Sequence, residues 1–176
     1  MELLSRRVGL IDAVVFSGGE PTLDPALKNA ILDVRSLGFE IGLHTSGAYP
    51  GRLADILTLV DWVGMDVKAP FASYERITGI TGSGVQARSC VEAILSSGIA
   101  HEFRTTIHPA LLPEDEIGEL AGALSKLGVQ NYALQKFRAT GCRDHRLANA
   151  NLSGYPSNDL IKNVGHLFQH FILRNA

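Results

Sequence analysis

The sequence predicts an α/β protein in which parallel strands and helices alternate along the chain. Short apolar runs rich in β-branched residues alternate with amphipathic stretches of helical period. Three segments, SLGFE, SSGIA and KLGVQ, each end a helical pattern with a glycine and then enter an apolar strand. Strands covered by helices on both faces are nearly continuous in apolar residues, as VVF and WVGM are. These observations favour a repeating βα unit.

The predicted elements follow in a regular order. Five strands are predicted, at residues 13–18, 40–46, 62–68, 101–109 and 131–137. A helix at 24–37 begins with an Asp-Pro pair, carries Leu27, Ile31 and Val34 on one face, and stops at Gly38. A last helix is predicted at 158–171, with His166 and His170 on one amphipathic face, and two long polar or glycine-rich connections at 71–84 and 138–156.

Length, charge and cysteine content limit the number of domains, the kind of partner and the cellular compartment. A chain of 176 residues, 45% hydrophobic, is long enough for one globular domain, so we predict a single domain over 1–176. Its net charge of -2, with no basic block, argues against nucleic acid or a membrane surface as partner. Apolar runs fall short of the ~20 residues of a membrane span and the N-terminus lacks a signal-peptide pattern, which predicts a cytoplasmic protein. Two distant cysteines argue against a disulfide framework.

Polar residues gather at the carboxyl ends of the predicted strands, where parallel β/α folds bind their ligands. These residues are Ser17 to Pro21, His44 to Gly47, Asp66 with Lys68, Arg104 with Thr106 and His108, and Gln135 to Arg138. Glycine amides, hydroxyls, carboxylates and cations together suit a zwitterionic or phosphorylated small molecule.

Two of these strand ends have two interpretations each. Gly18 and Gly19 allow a close approach to a ligand, and Pro21 biases Glu20 toward an extended backbone. The alternative is an ordinary turn whose glutamate caps the next helix. Asp66 and Lys68, two residues apart, share one face of a strand, where they contact a ligand or form an ion pair with each other.

Taken in order, SGGEPTL, TSG, DVK and FRTTIHP resemble the radical S-adenosylmethionine enzymes. Within them, the chain is most similar to the activating enzymes of glycyl radical enzymes, especially the activating protein of anaerobic ribonucleoside-triphosphate reductase. The resemblance covers roughly residues 10–138. It implies a partial (β/α) barrel with parallel strands and S-adenosylmethionine as cofactor.

The resemblance also implies roles for the strand-end residues. By this resemblance, the turn that binds the methionyl end of the cofactor consists of Gly18, Gly19, Glu20 and Pro21. A second group would lie near the cofactor or a monovalent cation: Thr45, Ser46, Asp66, Lys68 and Arg104. The alternative for the arginine is an ion pair with Glu102 or Asp66. His44 stands where the family often has an acidic residue, and His108 is either a proton or ribose partner or a structural histidine.

One family motif is missing from the sequence. CxxxCxxC supplies three thiolates to a [4Fe-4S] cluster, and two distant cysteines cannot replace it. Cys90 is predicted in the core beside Val91 and Ile94, and the role of Cys142 stays open. In the family the cysteine loop lies upstream of the GGEP strand, and MELLSRRVGL resembles the end of the intervening helix. We therefore expect an N-terminally truncated barrel without its first β/α unit, no metal site, and self-association through an exposed strand edge.

The resemblance implies that the complete enzyme uses a cluster and an electron donor to split S-adenosylmethionine into methionine and a 5′-deoxyadenosyl radical. That radical would take a hydrogen from a glycine of the partner enzyme, while this chain is expected to be inactive. Alternatives are a radical enzyme acting on a small molecule, such as a 7-carboxy-7-deazaguanine synthase, and a cluster-free binding module. An aldolase-like or phosphate-binding domain is a further alternative, although no P-loop or dinucleotide fingerprint is present.

Overall fold

A computed structural model describes residues 2–175 and shows an α/β fold. The strands are β1 Ala13–Phe16, β2 Glu40–Thr45, β3 Trp62–Asp66, β4 Ala100–Ile107, β5 Asn131–Lys136 and β6 His170–Arg174. The helices are α1 Glu2–Ser5, α2 Leu27–Ser36, α3 Pro50–Leu57, α4 Tyr74–Thr78, α5 Ser83–Ser97, α6 Glu114–Lys126, α7 His145–Ala148 and α8 Asn158–Gly165. The strands follow sequence order in one sheet, and the pairs β1/β2, β2/β3, β4/β5 and β5/β6 are parallel. The predicted α/β class with parallel strands is confirmed.

The chain divides into two compact units. The first comprises the residues up to Asp66 together with Val85–Glu102, and the second comprises Val67–Gly84 and the residues from Phe103 onward. Among residues 2–175, none of the helices combines the length and hydropathy that crossing a membrane requires.

In the first unit, α2 packs on the sheet through the predicted face. Leu27, Ile31 and Val34 are all buried. The helix begins later than predicted, because Asp24 is the extended residue that ends the 3-10 turn Pro21–Leu23. The Asp24 side chain accepts a hydrogen bond from the backbone N–H of Ala26 at 2.8 Å. The turn that precedes α2 is therefore a separate element.

Strand β1 lies at the end of the strand order and pairs with β2 alone among the described strands. Val15 is 48% exposed and Leu10, just upstream, is 71% exposed. The expectation that the VVF run is buried on both faces is therefore wrong for Val15, whereas Val63 and Met65 of β3 are fully buried. An apolar edge strand with one neighbour is a template for association.

In the second unit, a buried chain of hydrogen bonds ties the strands together. The Tyr132 hydroxyl on β5 donates to Thr105 Oγ1 on β4 at 2.8 Å. Thr105 in turn donates to the carbonyl oxygen of Val67 at 2.7 Å. Burial raises the pKa of Tyr132, so its proton stays in place for this chain of bonds.

The end of the chain differs from the prediction of one helix over 158–171. Helix α8 stops at Gly165 and the HFILR run forms β6, a sixth strand parallel to β5. Glycine at position 165 allows the chain to turn back from α8 into β6, because a Cβ there would lie 3.3 Å from the Phe171 ring. His166 follows the helix while His170 begins the strand, so the predicted shared helical face is wrong.

The two connections predicted as long loops each contain a short helix. Helix α4 lies within 71–84, and α7 lies within 138–156. The Asp144 side chain caps α7 by accepting from the backbone N–H of Arg146 at 2.9 Å. These connections are thus partly helical.

We predict that the polypeptide self-associates through the edge of β1. Replacing Leu10 and Val15 together by lysine should shift it toward monomer, because charge on an edge strand opposes strand pairing. Sedimentation velocity over a range of concentrations measures the change. Val85→Lys is the matched control, since Val85 is 72% exposed but lies on helix α5. A monodisperse monomer for the unmodified chain at high concentration would contradict the prediction.

Candidate functional site

The candidate site is built around the turn that follows β1. Gly18 and Gly19 have φ angles of 93° and 41°, in the left-handed region that favours glycine. A Cβ at either position would meet nothing within 4 Å, so the backbone of the turn is open. Glu20 then returns to an extended conformation, as the following proline predicts.

The carboxylate of Glu20 is the centre of a hydrogen-bond network. Thr22 donates to it from its hydroxyl at 2.6 Å and from its backbone N–H at 3.2 Å. Thr45 donates its hydroxyl at 2.9 Å. Ser46 donates its hydroxyl at 2.5 Å and its backbone N–H at 2.7 Å. Glu20 thus caps the 3-10 turn Pro21–Leu23 rather than helix α2, which was the alternative interpretation, and it also joins this turn to the end of β2.

The sheet register brings these residues together. Phe16 of β1 pairs with Leu43 of β2, so Gly18 and Thr45 each lie two residues beyond that pair. The Thr45 hydroxyl accepts from the backbone N–H of Gly47 at 3.1 Å, which leaves its own proton to donate to Glu20. Parallel neighbouring strands that end together therefore present a carboxylate and its donors at one edge.

The charge state of Glu20 follows from this environment. Burial alone would raise its pKa, but the hydrogen bonds from Ser46, Thr22 and Thr45 together outweigh burial and hold the pKa below its ordinary value of 4.5. Nearby, burial and then the negative charge of Glu20 raise the pKa of the Cys90 thiol to about 12. Glu20 is an anion at neutral pH, and Cys90 is a protonated thiol in the core, as predicted.

A cleft of about 490 Å³ opens beside the turn. Its lining residues are Phe16, Ser17, Gly18, Gly19, Glu20, Pro21, Leu23, Asp24 and Leu27. The cleft therefore combines exposed glycine backbone with an anionic carboxylate and a few apolar side chains.

Two residues of the network were not predicted from the sequence. Thr22 supplies two of the donors to Glu20, and its position directly after Glu-Pro was the available signal. Arg52 on α3 donates to the carbonyl oxygens of Thr22 at 3.3 Å and Leu23 at 3.0 Å. No sequence motif pointed to this arginine.

The remaining predicted site residues belong to different parts of the chain. Asp66 ends β3 in the first unit, one residue beyond Met65, which pairs with Thr45. Lys68 and Arg104 belong to the second unit. The backbone N–H of Lys68 donates to the Tyr74 hydroxyl at 3.1 Å. The carbonyl oxygen of Arg104 accepts from Val67 at 2.8 Å. Contact of these three side chains with a ligand stays a prediction.

Two histidines at predicted strand ends, His44 and His108, occupy packed positions. His44 meets the Trp62 ring edge-on, with ring centroids 5.5 Å apart. His108 is buried; its Nδ1 accepts from the backbone N–H of Ala110 at 3.1 Å, and its Nε2 donates to the carbonyl oxygen of Leu147 at 3.2 Å. Both ring nitrogens of His108 are engaged by backbone, which fits the structural interpretation.

The part of the chain that the structure describes lacks a cluster of metal-binding side chains. Within residues 2–175, no group of three or more His, Cys, Asp or Glu side chains is arranged to hold a metal ion. Cys142 lies on the 138–156 connection, with its Sγ 3.5 Å from the carbonyl oxygen of Asp144, and Cys90 is buried. These residues do not fit an iron–sulfur cluster, which takes several thiolates.

Comparison with known proteins identifies the class to which this fold and site belong. Residues 1–129 match the model of the radical SAM superfamily, and the chain belongs to that superfamily. A solved domain of pyruvate-formate lyase-activating enzyme from Bacteroides vulgatus has the same fold, with a TM-score of 0.68 and 13% identity over 93% of this chain and 99% of that one. The predicted partial barrel of radical SAM type is thereby confirmed.

Two relatives carry more specific names. A protein of Methanocaldococcus jannaschii named as a glycyl-radical enzyme activating enzyme is 25% identical over 171 residues, which are 92% of this chain and 68% of the relative. A 7-carboxy-7-deazaguanine synthase of Thermococcus kodakarensis is 34% identical over 61 residues, which are 34% of this chain and 24% of the relative.

We predict that Glu20→Gln lowers the free energy of unfolding at neutral pH by about 2 kcal/mol, because a charged acceptor of several hydrogen bonds is lost. The folded-state pKa of Glu20 lies below its ordinary value, so the unfolded chain takes up the proton first as the pH falls. The difference between wild type and variant should be complete above pH 4.5 and shrink as the pH falls through the lowered pKa.

Urea unfolding at a series of pH values measures that difference. Glu119→Gln, at an exposed position on α6, is the control and should change stability little at any pH. A Glu20→Gln difference that stays constant down to low pH would contradict the role of the ionised carboxylate.

Proposed function

We propose that the chain is the S-adenosylmethionine-binding part of a glycyl-radical enzyme activating enzyme. The observation that carries the proposal is the open Gly18–Gly19 backbone, anchored by Glu20 to Thr45 and Ser46, in a chain of the radical SAM superfamily. The relative named for glycyl-radical enzyme activation supports it, because the match extends over 92% of this chain.

The chemistry of the turn suits the methionyl end of the cofactor. That end carries an ammonium beside a carboxylate; Gly18 and Gly19 are exposed, and backbone carbonyls are acceptors for an ammonium. Glu20 adds negative charge, but its oxygens already accept several hydrogen bonds. We infer that backbone carbonyls bind the ammonium directly, while the Glu20 carboxylate holds their geometry and attracts the cation.

Bound S-adenosylmethionine supplies the radical chemistry of the superfamily, and the residues described here bind and orient it. Electron delivery is not assigned to these residues, because they do not form a cluster site. Asp66, Lys68 and Arg104 are proposed as further contacts to the cofactor or its counter-ion, on the resemblance of the DVK and FRTTIHP segments.

For the partner we propose a glycyl radical enzyme, with anaerobic ribonucleoside-triphosphate reductase as the specific candidate and a separate protein as electron donor. The order and spacing of SGGEPTL, TSG and DVK support that choice. A second candidate is 7-carboxy-7-deazaguanine synthesis, which the 34% identity over 61 residues favours. Purification of the native protein under mild conditions distinguishes the two candidates. A co-purifying glycyl radical enzyme favours the first, and a retained small-molecule substrate favours the second.

We predict that the purified polypeptide binds S-adenosylmethionine in isothermal titration calorimetry without iron. Gly18→Ala should weaken this binding at least about tenfold, because the new methyl group covers the open backbone and φ near 93° disfavours a side chain. Gly38→Ala is the matched control: Gly38 has a φ of 92° and equally open surroundings, but it lies after α2.

Both variants should lose similar stability, and only Gly18→Ala should lose affinity. Equal affinity for the two variants would count against the turn as the binding site. Absence of binding by the unmodified chain would refute the proposed function.

We further predict that the polypeptide of this sequence, treated anaerobically with iron, sulfide and dithionite, releases no 5′-deoxyadenosine from S-adenosylmethionine. Its two cysteines cannot provide three thiolates for a cluster. Chromatography of the reaction mixture measures 5′-deoxyadenosine. As a control for folding, the treated polypeptide should still bind S-adenosylmethionine. Product formation would reveal a ligand set outside the family pattern.

A further inference from the structure

We propose that Arg52 is a positioning residue for the turn that binds S-adenosylmethionine. It acts at a distance from the ligand, through the carbonyl oxygens of Thr22 and Leu23, and the inference rests on the function proposed above.

Arg52 lies in the first turn of α3 and reaches across to the 3-10 turn. One guanidinium nitrogen donates to the carbonyls of both Thr22 and Leu23, and the guanidinium carbon lies 5.8 Å from the centre of the Tyr49 ring. Carbonyls at the end of a short helical turn lack partners within it, and a cation is a favourable partner for them. Arg52 therefore fixes the last residues of the turn.

The turn has a second anchor at its start. The Glu20 carboxylate is bound by Thr45, the last residue of β2, and by Ser46, which directly follows it. Both anchors therefore come from one segment, residues 45–52, and they hold the two ends of the Glu20–Leu23 turn. The 3-10 bonds from Leu23 to Glu20 at 3.1 Å and from Asp24 to Pro21 at 3.0 Å lie between them.

The two glycines depend on these anchors. Neither has a side chain, and a Cβ at either position would find nothing within 4 Å, so packing does not fix their backbone. Glycine also has the largest conformational freedom to lose on ordering. Their binding geometry is set by β1 on one side and by the anchored Glu20–Leu23 turn on the other. Loosening the turn would weaken ligand binding, because the ligand would then have to order it.

The test compares Arg52→Met and Arg52→Lys with the control Arg35→Met. Arg35 is also an exposed helix arginine that donates to a backbone carbonyl, that of Leu59 at 3.2 Å, and it pairs with Asp61. Two measurements are made on each variant: hydrogen exchange of the ligand-free protein at the Leu23, Asp24 and Ser46 amides, and titration with S-adenosylmethionine. If the methionine variant does not fold, Arg52→Gln replaces it.

We expect Arg52→Met to speed exchange at Leu23 and Asp24 and to weaken S-adenosylmethionine binding about fivefold, as the loss of charged hydrogen bonds at an exposed site would. Arg52→Lys should recover part of both effects, because the ammonium donates to the same carbonyls without the planar guanidinium. Arg35→Met should leave both measurements at the wild-type values.

Unchanged exchange in Arg52→Met would overturn the proposal, and so would faster exchange with unchanged affinity. Equal effects from Arg35→Met would also overturn it, since they would indicate a general loss of stability. If the wild type does not bind S-adenosylmethionine, the proposed function fails. The exchange data would then still decide whether Arg52 holds the turn.

Discussion

The hydrogen-bonded carboxylate of Glu20 is the interaction on which the candidate site depends. It gathers donors from its own turn and from the end of the neighbouring strand, so two loops that are separate in sequence become one rigid edge. A charged acceptor makes stronger hydrogen bonds than a neutral one, and in partial burial those bonds are less screened by water. The glycine backbone beside it is held in place without any side chain of its own.

Much of the fold was predictable because it follows from local patterns. The glycines after α2, α5 and α6 mark where helices stop and strands begin, and the face of α2 follows from a 3.6-residue period. The HFILR strand was not predicted, because a short apolar run next to a helix shows no hydrophobic periodicity that separates strand from helix. Its strand character comes from pairing with β5, which is a property of the folded sheet.

The site was predictable only in part, for a similar reason. The Gly-Gly-Glu-Pro segment is continuous, so it could be recognised directly from the sequence. The resemblance drew attention to Thr45 and Ser46 as neighbours of a cofactor, whereas the structure shows their hydroxyls bonded to Glu20. That bond depends on the register of Phe16 with Leu43, and the contact of Arg52 depends on how α3 packs against the Pro21–Leu23 turn. Neither the register nor the Arg52 contact can be recognised from a continuous sequence motif.

The different burial of the two cysteines has a practical consequence. Cys90 lies in the core and keeps its proton, whereas Cys142 is partly exposed on the connection after β5. Thiol reagents attack the thiolate and need access to it, so the folded protein offers them one residue. A maleimide fluorophore would therefore attach to the native chain at Cys142 without any engineered cysteine, and would report on the movement of that connection in solution.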